Sequence, residues 1–123
     1  MSKTLKDEIN RLHAHVCSGL ADPIRILILY RLVNAKFNVT ELSNTLDVPQ
    51  PTISRHLKVL RDRDMVRADR EGQSVFYTLS DYRIIDALDL LRSVLAGSLE
   101  SQGALAQSAG ASPIQPIELE TEE

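Results

Sequence analysis

The stretch VTELSNTLDVPQPTISRHLKVLRDRDMV, residues 39–66, decides how this chain folds. Thr40 is a candidate side-chain cap and Leu42 and Leu46 lie four apart, so VTELSNTLDV predicts a short helix. Val48, Pro49, Gln50 and Pro51 then predict a tight turn. Pro51 suits the first turn of a following helix, where its missing N–H costs nothing, and that helix continues through TISRHLKVLRDR. Two short helices joined by such a turn form a helix-turn-helix. On a helical wheel at 100° per residue, Ile53, Leu57 and Leu60 fall within about 60° of one another and predict the inward face. The opposite face carries Ser54, Arg55 and Lys58, with Arg61 at its edge and Gln50 and Thr52 at the amino-terminal end.

Upstream, Leu5, Ile9, Leu12 and Val16 recur at helical spacing, and Gly19 is expected to end that first helix. Asp22 followed by Pro23 opens a second helix as a cap with proline at the first helical position, and the run Ile24 to Leu29 predicts burial on most sides. Downstream of Met65 the pattern becomes that of a β-hairpin. MVRADR and SVFYTLS carry β-branched and aromatic residues and are separated by Glu71, Gly72 and Gln73, with Gly72 supplying the turn. A last helix is expected from about Tyr82 to Ser98. Its apolar residues form two adjacent stripes, Ile84, Leu88, Leu91 and Leu95 on one and Ala87, Leu90 and Val94 on the other, wider than one side of a small domain needs. Residues 101–123, rich in Ser, Gly, Ala, Gln and Pro and ending in acids, read as a disordered acidic tail after a folded domain at 1–100.

A chain of 123 residues with 43% hydrophobic content suits one core and excludes two independent catalytic domains. The apolar run from Ile26 to Tyr30 is interrupted by Arg25 and Arg31, too short to span a membrane, and the charged amino terminus does not read as a secretory signal. Cys17 is the single cysteine, which fits a reducing cytoplasm and excludes an intrachain disulfide. The formal net charge of −3 argues at first against a nucleic-acid partner. Its distribution reverses that. Residues 1–100 carry 14 bases against 13 acids, residues 101–123 four Glu and no base, and residues 50–70 six bases against three acids. A net +3 is thus gathered on one helix and one hairpin.

These pieces resemble the ArsR/SmtB transcriptional repressors: LADPIRILIL at 20–29, the stretch at 39–66, and REGQSVFYTLSD at 70–81. With the flanking helices the resemblance covers roughly residues 5–98, a domain-sized piece. It implies a mainly α fold with a small β-hairpin wing, a winged helix-turn-helix that is dimeric through its first and last helices. It implies equally a sequence-specific repressor that binds a palindromic double-stranded DNA operator as a homodimer and is released by an inducer. The residues expected at DNA are Gln50, Thr52, Ser54, Arg55, His56, Lys58, Arg61, Arg70 and Gln73. Of these, His56 lies near the core edge of its helix and is expected to orient a phosphate or to pack.

The metal ligands of the family are not matched. Asn38 and Thr40 stand where the arsenic and cadmium sensors carry Cys-x-Cys. Asp81, Arg83, Val94 and Gly97 stand where the zinc-type sensors carry an Asp, two His and a carboxylate. Neither a metal nor another cofactor is therefore expected. His13 and Cys17, four apart on one side of the first helix, are the candidate sensor pair, and a dimer would double them. The plain alternative is a small buried Cys17 with surface histidines. No phosphate-binding glycine loop, paired acids or Cys-His-acid set marks an enzyme. A winged-helix protein-interaction module is the other class, favoured by the acidic balance and opposed by the basic helix.

Overall fold

The computed structural model describes residues 3–108, with side chains described for residues 4–98. They fall into two compact units, one ending at Asp81 and one starting at Tyr82.

The first unit opens with α1 (Lys3–Arg11), which continues through Leu12–Cys17 in a wider turn where the Ser18 N–H donates to the His13 carbonyl, five residues back. Such π-helical turns are rare and hold more residues per turn than an α-helix. At the helix end Gly19 is buried, and a Cβ there would stand 2.8 Å from Arg63 Cδ and 2.9 Å from Met65 Cε. Close approach, beyond helix termination, is what requires the glycine.

In α2 (Pro23–Arg31), Asp22 Oδ1 accepts from the Ile24 N–H at 2.8 Å and Pro23 occupies the first turn. Burial is narrower than the sequence suggested: Ile28 and Leu29 are completely buried, while Ile24, Ile26 and Leu27 are half-buried. The helix packs against the two helices that follow it and keeps its other sides partly open.

The start of α3 (Val39–Leu46) corrects the expected cap. Asn38, not Thr40, is the cap: its Oδ1 accepts from the Glu41 N–H at 2.8 Å, and the Glu41 carboxylate accepts from the Asn38 N–H at 3.0 Å. This reciprocal pair satisfies two otherwise orphaned donors, which Thr40, already inside the first turn, cannot do. The helix ends at Asp47, whose φ of 57° lies in the left-handed region that Asp tolerates better than most residues. Ser43 Oγ closes the turn by donating to the Val48 carbonyl at 2.6 Å.

Pro49 then precedes α4 (Gln50–Asp62), with Pro51 in its first turn as expected. Beyond it, Asp64 takes a φ of 59° and the chain enters the antiparallel pair β1 (Val66–Glu71) and β2 (Ser74–Leu79). Glu71 faces Ser74, leaving Gly72 and Gln73 as a two-residue turn in which only Gly72 has positive φ, 65°. That is the type II′ pattern, which wants glycine at its first central position. One bridge escaped the sequence reading. Phe37 N donates to the Tyr77 carbonyl at 3.3 Å and Tyr77 N to the Phe37 carbonyl at 2.8 Å, tying β2 to the α2–α3 connection. The core of this unit is Ile28, Leu29, Leu32, Leu42, Ile53, Leu57, Leu60, Met65, Val66 and Leu79, aliphatic but for Met65.

The second unit contains α5 (Arg83–Ser108). Ile85 and Leu88 are buried; Ile85 belongs to neither expected stripe. Leu90, Leu91, Val94 and Leu95 are 58–68% exposed, so the wide apolar surface read from the sequence stands open along this helix. The helix also runs through residues 101–108, where a disordered tail was expected. Ala104, Leu105, Ala106 and Gln107 are strong helix formers, and no proline interrupts them before Pro113. The rest of that tail, residues 109–123, lies outside the described residues.

The corrected cap gives a direct prediction. Asn38→Ala should cost about 1 kcal/mol of stability in urea denaturation, whereas Thr40→Ala should change it by less than about 0.5 kcal/mol. The reverse ranking would restore Thr40 as the cap.

Candidate nucleic-acid interface

The orientation of α4 follows from its apolar residues. Ile53, Leu57 and Leu60 are at most 1% exposed, which fixes rotation about the helix axis. Gln50, Ser54, Arg55, Lys58 and Arg61 are consequently exposed, and Thr52 is half-buried near the amino-terminal end. A row of hydroxyl, amide, guanidinium and ammonium groups on a helix about 10–12 Å wide can enter a major groove about 12 Å wide and reach base edges and phosphates. Lys58 Nζ lies 3.3 Å from Asp62 Oδ2, with the two side chains 78% and 58% exposed. An i,i+4 pair so open to water is worth a few tenths of a kcal/mol and yields readily to a phosphate.

His56 departs from this row. Its side chain is 12% exposed and turned toward the protein, with Nδ1 3.1 Å from Arg25 Nη1 and Nε2 3.8 Å from Asp22 Oδ1. Packing, the second of its two expected roles, is what this placement supports. Arg25 also donates to the Gly19 carbonyl at 2.7 Å and to the Ser18 carbonyl at 3.3 Å, and Arg63 Nε donates to Ser18 Oγ at 3.0 Å. Sequence reasoning missed Arg25 and counted Arg63 only as positive charge. The available signal was the spacing of Arg25 three residues after the Asp22 cap, one turn into the helix. Burial holds the His56 imidazolium below its ordinary range, with Arg25 and Arg55 acting in the same sense and Asp22 opposing them.

At the hairpin Arg67, Arg70 and Gln73 are exposed, the last beside Gly72 at the tip. The hairpin is braced from behind: Lys36 Nζ meets both Glu71 carboxylate oxygens at 2.6–2.7 Å and lies 4.9 Å from the Phe76 ring centre. With the Phe37–Tyr77 bridge, these contacts hold the strands beside the helix-turn-helix and neutralise an acid near the exposed tip.

Of the candidate sensor pair, His13 and Cys17 are both exposed in the single chain. His15 faces Asp64, with 3.7 Å between Nε2 and Oδ2. Among the described residues, no group of three or more His, Cys, Asp or Glu is placed to hold a metal ion. No described helix is long and apolar enough to cross a membrane.

Residues 22–68 match the model of the bacterial regulatory protein arsR family. The biofilm growth-associated repressor of Xylella fastidiosa is 30% identical over 81 residues, which are 66% of this chain and 71% of that protein. This chain belongs to the ArsR family. The HTH-type transcriptional repressor SmtB of Mycobacterium tuberculosis is 42% identical over 66 residues, 54% of this chain and 49% of the repressor, so the match spans about half of that relative's length. In structure, NolR from Sinorhizobium fredii is similar with a TM-score of 0.67 and 31% identity, covering 76% of this chain and 93% of that one. The ArsR-family match takes in Asp22, Arg25, His56 and Arg63, the whole of α4 and the first half of β1.

The environment of His56 predicts a pH effect on stability. Unfolded, its imidazole takes up a proton near its ordinary value of about 6.5; folded, it does so only at lower pH. The unfolded state therefore binds more protons between those two values. The contribution of neutral His56 is complete above about pH 6.5 and is lost as pH falls through the folded value. Denaturation between about pH 8 and pH 5 should show a steeper loss for the native protein than for His56→Asn. Equal slopes would remove His56 from the acid response.

Proposed function

We propose that this chain is a sequence-specific DNA-binding repressor that acts as a homodimer in the cytoplasm and leaves its operator when an inducer binds. The observation that carries this reading is α4. Three buried apolar residues fix its rotation, and Ser54, Arg55 and Lys58 are displayed on its outer side immediately after the αL-capped turn at Asp47. Arg55 and Lys58 enter the major groove, with Ser54, Thr52 and Gln50 near base edges or phosphates and Arg61 at the edge of the contact. Arg70 and Gln73 reach the flanking backbone from the hairpin. The names of the relatives, repressors among them, point the same way.

The dimer rests on apolar surface. Leu5, Ile9 and Leu12 are 40–47% exposed in the first unit, and the second leaves Leu90, Leu91, Val94 and Leu95 open. Burying these residues against a second copy would gain about 25 cal/mol per Å² of apolar surface. A twofold pair of recognition helices would also match a palindromic operator with half-sites about one DNA turn apart.

A second reading, favoured by the exposure of both Cys17 and His13 in the single chain, has the inducer act through Cys17. Two experiments test these assignments. On a duplex enriched by the native protein from a randomised library, Arg55→Ala should lose about 1–3 kcal/mol of binding free energy if Arg55 reads a guanine; unchanged affinity would sink that role. Release of that duplex by oxidants or sulfur species should disappear in Cys17→Ser, and a response that survives would exclude the thiol.

A further inference from the structure

Two side chains bind the recognition helix to the carboxyl end of the first helix. Both end on Ser18, and the first takes in Gly19 as well. Near the middle of α4, His56 Nδ1 meets Arg25 Nη1 at 3.1 Å, while the same guanidinium holds the Gly19 carbonyl through Nε and the Ser18 carbonyl through Nη2. At its end, Arg63 donates to Ser18 Oγ, which itself donates to the Ala14 carbonyl at 2.6 Å. The two ties are seven residues apart, about two turns, on the helix that presents Ser54, Arg55 and Lys58.

The first tie depends on protonation state. A guanidinium only donates, so the contact at 3.1 Å requires a bare lone pair on His56 Nδ1. The ring is then neutral, with its single proton on Nε2 facing Asp22 Oδ1 at 3.8 Å. A second proton would sit on Nδ1 and point an N–H at a cation. The charged groups acting on the ring are Asp22 and Arg25 from the α2 side and Arg55 from its own helix; only Asp22 favours the imidazolium, and burial opposes it.

We infer that Arg25 and His56 are positioning residues for DNA recognition, and that acidification releases this tie by protonating His56, loosening the recognition helix from the end of the first helix. This rests on the reading of α4 as the DNA-contacting helix. The expected sign sets it apart from a bulk charge effect, since protonating histidines on a protein that binds a polyanion would otherwise strengthen binding.

The test uses the full chain and a duplex enriched from a randomised library by the native protein near neutral pH. Affinity is measured at constant ionic strength at about pH 8 and about pH 5, on either side of the ordinary imidazole value. The native protein should weaken roughly tenfold on acidification, the scale of one lost hydrogen bond to a charged group. His56→Asn keeps an acceptor where Nδ1 stands and cannot be protonated, so its two affinities should agree within about twofold. Native binding that holds or strengthens at low pH, or a His56→Asn variant that weakens as much as the native protein, would overturn the inference.

A readout without DNA separates this outcome from failure of the DNA reading itself. If no duplex is enriched, the DNA reading fails. The coupling is then followed by NMR titration of the free native protein, in which the Ser18, Gly19 and Arg63 amides should shift together with the His56 ring. Amides that stay still while His56 titrates would overturn it.

Discussion

Burial of one side of α4 is the constraint on which the rest of the structure depends. Full burial of an Ile or Leu side chain is worth about 1.5–3 kcal/mol, and three of them on one face outweigh any exposed ion pair on the other by roughly an order of magnitude. The rotation of α4 is therefore decided in the core, by Ile53, Leu57 and Leu60, and its polar display follows from it. The same residues share a core with Ile28, Leu29 and Leu32 of the preceding segment and with Met65 and Val66, which open the hairpin. Helix, turn and wing are thus positioned by one apolar cluster.

Most of this was legible in the sequence because it depends on local rules. Apolar residues three and four apart gave the helices, Pro23 and Pro51 their first turns, and Gly72 the hairpin turn with its positive φ. What escaped has a nonlocal or competitive origin. Asn38 won the cap from Thr40 because Glu41 stands at the spacing that lets both side chains answer each other's backbone. The Phe37–Tyr77 bridge joins residues forty apart, which no window of pattern reaches. His56 was placed at the core edge correctly, but the Arg25 and Asp22 groups that meet it come from another helix. The composition of residues 101–123, rich in Ser, Gly, Ala, Gln and Pro, reads as a disordered tail, yet Ala104, Leu105, Ala106 and Gln107 carry the last helix on through residue 108.

Charge behaves differently from shape in this chain. A formal −3 coexists with exposed cations that project from one helix and one hairpin, and two of the acids beside them are held in pairs. Glu71 is occupied by Lys36, and Asp62 by Lys58. Over a Debye length of about 8 Å at physiological salt, an approaching polyanion responds to this local pattern more than to the sum over the molecule.

The widened turn at Leu12–Cys17 means that the first helix is not one rigid ruler. Holding an extra residue there retards the helix by about 100° relative to a regular α-helix. Such a phase slip lets one continuous segment serve two directions: Leu5, Ile9 and Leu12 lie on an outward-facing stripe, while Ser18 and Gly19, just beyond the slip, face Arg25, Arg63 and Met65. A strictly regular helix would have to compromise between those bearings. Cys17 and His13 sit within the slipped turn, where i→i−4 bonding gives way to i→i−5, so restoring the regular ladder there would rotate the Ser18–Gly19 anchor relative to the amino-terminal stripe.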